Sequence, residues 1–232
     1  MGWIRYLAYF LGIALVTWLL VQLELSFPGS LDLYVVPDGG AAPGTSEYSP
    51  IEIVQPLLLL ACAGMLAWVA RFCPSQRPLT VFFAAFALIF LVRELRYFLD
   101  RLLIENLWQL LTGVVAALAI VYLGRHQRRA RIALARIWPA PALALIFSGA
   151  VIEFVFARVV GREALWMSIL GSEYQPVVAV AVEEFLDLLG YLLWTAGTIE
   201  YTIHARALAY RAPQPAVKRR RERRRHEQEG PY

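Results

Sequence analysis

The sequence predicts an all-α fold: a polytopic bundle of six transmembrane helices with both termini cytoplasmic. Three observations lead there. Of the 232 residues, 59% are hydrophobic and only 17% charged, a balance too apolar for a soluble domain of this size. The apolar residues gather in six runs, at about 3–22, 51–70, 79–99, 105–123, 140–160 and 177–205. Each is near the ~20 residues a spanning helix needs, and none alternates in polarity as a membrane strand would. Finally, basic connections alternate with acidic or mixed ones along the chain, which orients the bundle.

The first run resembles a signal peptide in position only. Its apolar core is too long and no small-residue cleavage site follows cleanly, so a retained helix is expected. The connection after it holds Glu24, Asp32, Asp38 and Glu47 and no Lys or Arg. Within it, Leu31 to Val36 followed by Pro37-Asp38-Gly39-Gly40 fits a short strand and turn, and a Gly/Ala/Pro/Thr/Ser stretch then reads as linker. The second run contains Cys62, with Cys73 just beyond; their spacing suggests neither a disulfide nor a metal pair. Arg71 and Arg77 follow with no acid. The third run ends in Arg93, Glu94, Arg96 and Asp100.

After the fourth run comes the most basic loop, with Arg125, Arg128, Arg129, Arg131 and Arg136 and no acid. The fifth run carries Glu153 and Arg158. Between it and the sixth, Leu165, Trp166, Ile169 and Leu170 recur at helical spacing between Gly161 and Gly171, predicting a short helix flat at the interface. The sixth run carries Glu183, Glu184 and Asp187 near its start and Glu200 near its end.

Residues 1–211 thus read as one transmembrane domain, and 212–232, with KRRRERRR from Lys218, as a disordered basic cytoplasmic tail. The tail reads as a topology anchor and not as a nucleic-acid arm. Basic residues of the loop and tail would face anionic lipid headgroups, each worth ~1 kcal/mol near such a surface. The expected location is the cell inner membrane, and the expected partners are the bilayer and either another membrane protein or a second copy.

Orientation assigns depth. Arg93, Glu94, Arg96, Asp100, Glu153, Arg158, Glu183, Glu184 and Asp187 all fall in the outer layer, with Glu52 and Glu105 at the outer ends of their runs. At ~100° per residue, Arg93, Tyr97 and Asp100 share one side of the third helix. On the sixth, Glu183, Asp187, Gly190, Trp194, Thr198 and Tyr201 align, flanked by Glu184 and Tyr191. Such stripes face a bundle interior because lipid cannot satisfy them. Gly190 and Gly197 would admit a neighbouring helix closely.

Six acids (Glu94, Asp100, Glu153, Glu183, Glu184, Asp187) meet three arginines (Arg93, Arg96, Arg158), so three negative charges are in excess if all ionise. The site must then hold protons, bind a cation or be wetted from outside. A set of carboxylates without histidine suits a hard divalent cation, Mg, Ca or Mn, with Glu94, Glu153, Glu183 and Asp187 as the candidate ligands. Zinc is disfavoured, since His126, His204 and His226 fall at the cytoplasmic side. Alternatively, Arg93, Arg96 and Arg158 are salt-bridge partners that staple helices together. No histidine lies at the depth of Ser148, and no phosphate loop, dinucleotide fingerprint or HExxH motif is present. Two functional classes follow. One is a membrane protein whose polar site binds a proton or cation, for transport or for metal-assisted chemistry on a lipid-linked substrate. The other is a non-catalytic subunit or assembly factor whose charges are architectural.

Overall fold

The computed structural model describes residues 2–31, 49–96, 98–99 and 106–211. Tyr97, Asp100, Glu105, the strand-and-turn segment beyond Leu31 with its linker, and the tail 212–232 lie outside the described residues. Those described are helical, with no strand among them. The helices are α1 Gly2–Ser26, α2 Pro50–Phe72, α3 Arg77–Glu94, α4 Leu107–Arg125, α5 Gln127–Ile137, α6 Pro141–Val160, α7 Glu163–Leu170 and α8 Pro176–Arg211.

Each apolar run forms one helix. Proline opens several of them, since a first-turn residue has no use for its N–H. Pro50 starts α2 behind Ser49, whose hydroxyl accepts from the Ile51 amide at 3.2 Å. Pro78, Pro141 and Pro176 start α3, α6 and α8. After α1, Glu24 accepts from the Gly29 and Leu31 amides at 2.7 and 2.9 Å, and Gly29 takes the left-handed φ of 86° that this turn requires. Leu31 is thereby buried against the bundle.

Four helices, α1, α2, α4 and α6, are long and apolar enough to cross a membrane. The others at that length carry charge: Arg77, Arg93 and Glu94 in α3, and Glu183, Glu184, Asp187 and Glu200 in α8. Large apolar side chains such as Trp18, Leu118, Ile120 and Phe147 point outward, and α4 buries no residue at all. Water would not tolerate such a surface; hydrocarbon would.

The stretch expected as a basic loop, 125–138, is largely helical, and this corrects that expectation. Ala130, Ala133 and Ile137 recur at helical spacing and are buried, while the intervening arginines face out. Helix α7 forms where a short helix was expected, closed by Gly171 at φ 56°.

Helix α8 is the axis of the bundle. Its 36 residues run alongside α2, and α1, α3 and α6 run antiparallel to both. Contacts at both ends fix these directions. Gln55 meets Glu184 while Cys73 meets the Ala205 carbonyl. Arg93 meets Asp187 while Thr80 meets Tyr201. Arg5 pairs with Glu200 while Leu20 joins Leu188 and Leu192 in an apolar cluster. Gly190 and Gly197 do admit a neighbour, and it is α6. A Cβ on Gly149 would lie 2.6 Å from the Gly190 carbonyl oxygen, and one on Gly197 would lie 2.7 Å from Ile146 Cγ1. The remaining core is built from Leu59, Leu66, Phe83, Phe90, Tyr191 and Trp194.

Candidate functional site

At one end of the bundle, α2, α3, α6 and α8 enclose a cavity of about 110 Å³. Every side chain lining it is charged: Glu52, Arg93, Glu94, Arg96, Arg158, Glu183, Glu184 and Asp187. Glu153 lies against it and is almost fully buried, 2% exposed. The site is therefore assembled from the last turn of α3, the end of α6 and the first turns of α2 and α8, which the antiparallel arrangement brings to one level.

Arg93 is the central cation. Its Nη1 lies 2.5 Å from Glu153 Oε1. Its Nη2 donates to Glu94 Oε1 at 2.7 Å, to the Tyr191 hydroxyl at 2.8 Å and to Asp187 Oδ2 at 3.3 Å. The Tyr191 hydroxyl in turn donates to Glu94 Oε1 at 2.6 Å. Phe90 closes one side, its ring centroid 5.5 Å from the guanidinium carbon. Three helices thus share one guanidinium.

Arg158 is the second clamp. Its Nη2 donates to both oxygens of Asp187, at 3.0 and 2.7 Å, and its Nη1 pairs with Glu183. Local geometry helps to aim these groups. Helix α6 widens into a π-turn at Ile152–Phe156, which includes Glu153 and precedes Arg158. One additional residue in a turn re-aims everything downstream, and such turns recur at functional sites.

Glu184 is held differently. It accepts from Gln55 Nε2 at 3.1 Å and makes no ion pair among the described residues. The same amide nitrogen lies 3.3 Å from the Glu184 carbonyl oxygen. Arg96 is exposed at the rim and makes no ion pair among the described residues.

The structure therefore brings Arg93, Glu94, Glu153, Arg158, Glu183, Glu184 and Asp187 together, with Arg96 at the mouth; Asp100 lies outside the described residues. Two contributors escaped the sequence reading. Gln55 was not singled out, although it and Glu52 are polar positions three apart in an otherwise apolar run. Glu52 was noted only as an outer-end residue. At the opposite end, Glu200 accepts from the Tyr9 hydroxyl at 2.9 Å and pairs with Arg5 at 2.9 Å, joining α1 to α8.

With Glu52 counted, six carboxylates face three guanidiniums within the described residues. Burial makes that imbalance costly, because an unpaired buried charge loses its hydration without recompense. No group of three or more His, Cys, Asp or Glu side chains among the described residues is arranged to hold a metal ion. Around Glu94, Glu153, Glu183 and Asp187, the guanidiniums of Arg93 and Arg158 fill the spaces between carboxylates. Comparison of the chain with protein-family models, curated proteins and solved structures gives no match.

Proposed function

We propose that this is a multi-pass inner-membrane protein of six spans, termini cytoplasmic, whose buried carboxylate–arginine site binds a proton or cation taken up from the outer face for transport. The observation that carries the reading is the excess of carboxylates over guanidiniums in one enclosed cavity. After Arg93 and Arg158 have been shared among Glu94, Glu153, Glu183 and Asp187, Glu184 still has only the neutral amide of Gln55. That carboxylate is the natural place for a mobile positive charge. The orientation is supported by the far end of the bundle, where Arg71, Arg77, Arg125, Arg128, Arg129 and Arg131 gather, as cytoplasmic loops require.

The test is spectroscopic. Infrared spectra of the purified protein at neutral pH should contain a protonated-carboxyl band that Glu184→Gln removes. If a cation takes the proton's place, elemental analysis should find it and Glu184→Gln should release it. Fully ionised carboxylates with no bound cation would overturn the reading.

A second reading is favoured by the way Arg93 and Arg158 tie α3, α6 and α8 together: a subunit whose charges set helix register. Under it, Glu184→Gln lowers the unfolding temperature along with any function. Under the first, the variant stays folded and loses only the bound charge.

A further inference from the structure

The face of α8 turned toward α2 and α3 is not an ordinary apolar seam. Starting at Asp187, it presents Tyr191, Trp194, Thr195, Thr198 and Tyr201 before reaching Ala205. At ~100° per residue these fall within one stripe about 120° wide, and from first to last they rise ~27 Å, close to the ~30 Å of a hydrocarbon core. A helix serving only to pack would place Leu or Ala at such positions. Here almost every turn offers a hydroxyl, an indole or a thiol neighbour.

Part of this seam is hydrogen-bonded. Thr195 Oγ1 donates to the Tyr191 carbonyl at 2.7 Å and lies 3.3 Å from Cys62 Sγ. The Tyr201 and Thr80 hydroxyls are 2.7 Å apart, and Thr80 also donates to the Gln76 carbonyl at 2.9 Å. The rest is orphaned. Trp194 Nε1, Thr198 Oγ1 and both amide atoms of Gln76 are buried and lack a hydrogen-bond partner among the described residues. Thr198 and Gln76 have no exposed surface at all, and Trp194 is 3% exposed. Buried polar groups are almost always satisfied, by protein or by internal water. Several orphans along one face therefore mark positions for water between the protein hydroxyls.

Both ends of the stripe open. At the upper end Asp187 lines the charged cavity and Tyr191 bonds to Arg93 and Glu94. At the lower end Cys73, which contacts Ala205, lines a second pocket of about 270 Å³ with Trp68, Phe72, Arg206 and Tyr210. That pocket lies at the basic end.

We propose that the Asp187–Tyr201 face of α8, with Cys62, Thr80 and Gln76 opposite, is a hydrated proton path joining the charged cavity to the pocket at the basic end. The inference rests on the site reading above and extends it: the charge bound at the cavity is a proton, and it has a route through the bundle. A proton enters at the carboxylates and passes by hydrogen-bond exchange along hydroxyls and waters. An equivalent proton leaves at the other end. No bond is made or broken on balance, and the driving force is the proton gradient.

The full-length protein is reconstituted into phosphatidylethanolamine–phosphatidylglycerol vesicles with pyranine inside, and a valinomycin potassium potential, negative inside, drives protons inward. Expected is acidification severalfold faster than in protein-free vesicles. Thr198→Val and Tyr201→Phe, which remove one hydroxyl each with little change of shape, should cut it severalfold. Their unfolding temperatures report whether each variant is intact, and Thr198→Val should not fall, because it deletes an orphan. Thr112→Val, off the seam on α4, should conduct as wild type. Wild-type flux no greater than that of empty vesicles overturns the path, as do folded Thr198→Val and Tyr201→Phe proteins conducting at the wild-type rate. Glu184→Gln separates the two ideas. If it removes the protonated-carboxyl band while wild type never conducts, the site stands and the path falls. If wild type conducts and Glu184→Gln leaves the flux unchanged, the path stands and the assigned binding residue falls.

Discussion

Arg93 and Arg96 sit three residues apart on the same helix end and should behave as opposites. Arg93 is engaged by Glu94, Glu153, Asp187 and Tyr191, groups on three helices. Removing one member of such a buried set leaves uncompensated charges behind, at a cost of about 3–5 kcal/mol. Arg93→Ala should therefore lower the unfolding temperature in detergent sharply. Arg96 is exposed and has no ion pair among the described residues, so Arg96→Gln should change stability by no more than about 0.5 kcal/mol. Equal losses in a thermal melt would show that the cavity is not organised around Arg93. The sequence could not make this distinction, because both arginines lie on the same short charged segment. Which of them turns inward depends on where α6 and α8 pass, and no local pattern carries that information.

Among the elements, the contact between α6 and α8 is the closest. Gly149, Gly190 and Gly197 let the two backbones touch, and a Cβ at Gly149 would meet both the Gly190 carbonyl and the Trp194 amide. Gly149→Leu should force the helices apart and destabilise by at least the ~1–3 kcal/mol of an overpacked core. Gly113 on α4 has open space where its Cβ would be, so Gly113→Ala should be neutral or stabilise by up to about 1 kcal/mol. Denaturation of the two variants side by side checks the pair, and a stable Gly149→Leu protein would refute the close contact. The glycines of α8 were legible as small residues on the charged stripe. Their partner Gly149 was not, because nothing in α6 alone marks which face meets another helix. The helical character of the 127–137 stretch was hidden too, since its arginines dominate the composition and only Ala130, Ala133 and Ile137 carry the periodicity.

For the whole molecule, the alternation of helix directions puts the charged cavity and the arginine-rich helix α5 at opposite ends. The proposed orientation then makes a labelling prediction. A membrane-impermeant maleimide should reach Glu163→Cys, on α7, in intact cells. It should reach Arg128→Cys, on α5, only after the membrane is opened. Both native cysteines are buried, which keeps the background low. The reverse pattern would invert the assignment of outer and inner faces. Most of this large-scale order was readable beforehand, because length of apolar run and sign of loop charge are set by the bilayer itself. Much of the charged layer was readable for the same reason: charges are too costly at depth to be scattered. What could not be read was the pairing inside the layer, including Gln55 with Glu184 and Tyr191 with Glu94, which depends on rotation about helix axes.

The π-turn at Ile152–Phe156 makes the geometry of Arg158 a matter of counting. A wide turn of this kind accommodates one residue more than a regular helix would. Deleting exposed Val155 should let α6 close to uniform winding, which swings everything after it by ~100° and draws it in by ~1.5 Å. Arg158 would leave Glu183 and Asp187, while Glu153, before the deletion, would keep its hold on Arg93. A single codon lost from the gene would thus unhook one guanidinium and spare the other. The infrared carboxylate spectrum of the shortened chain would register that change as two newly unpaired acids.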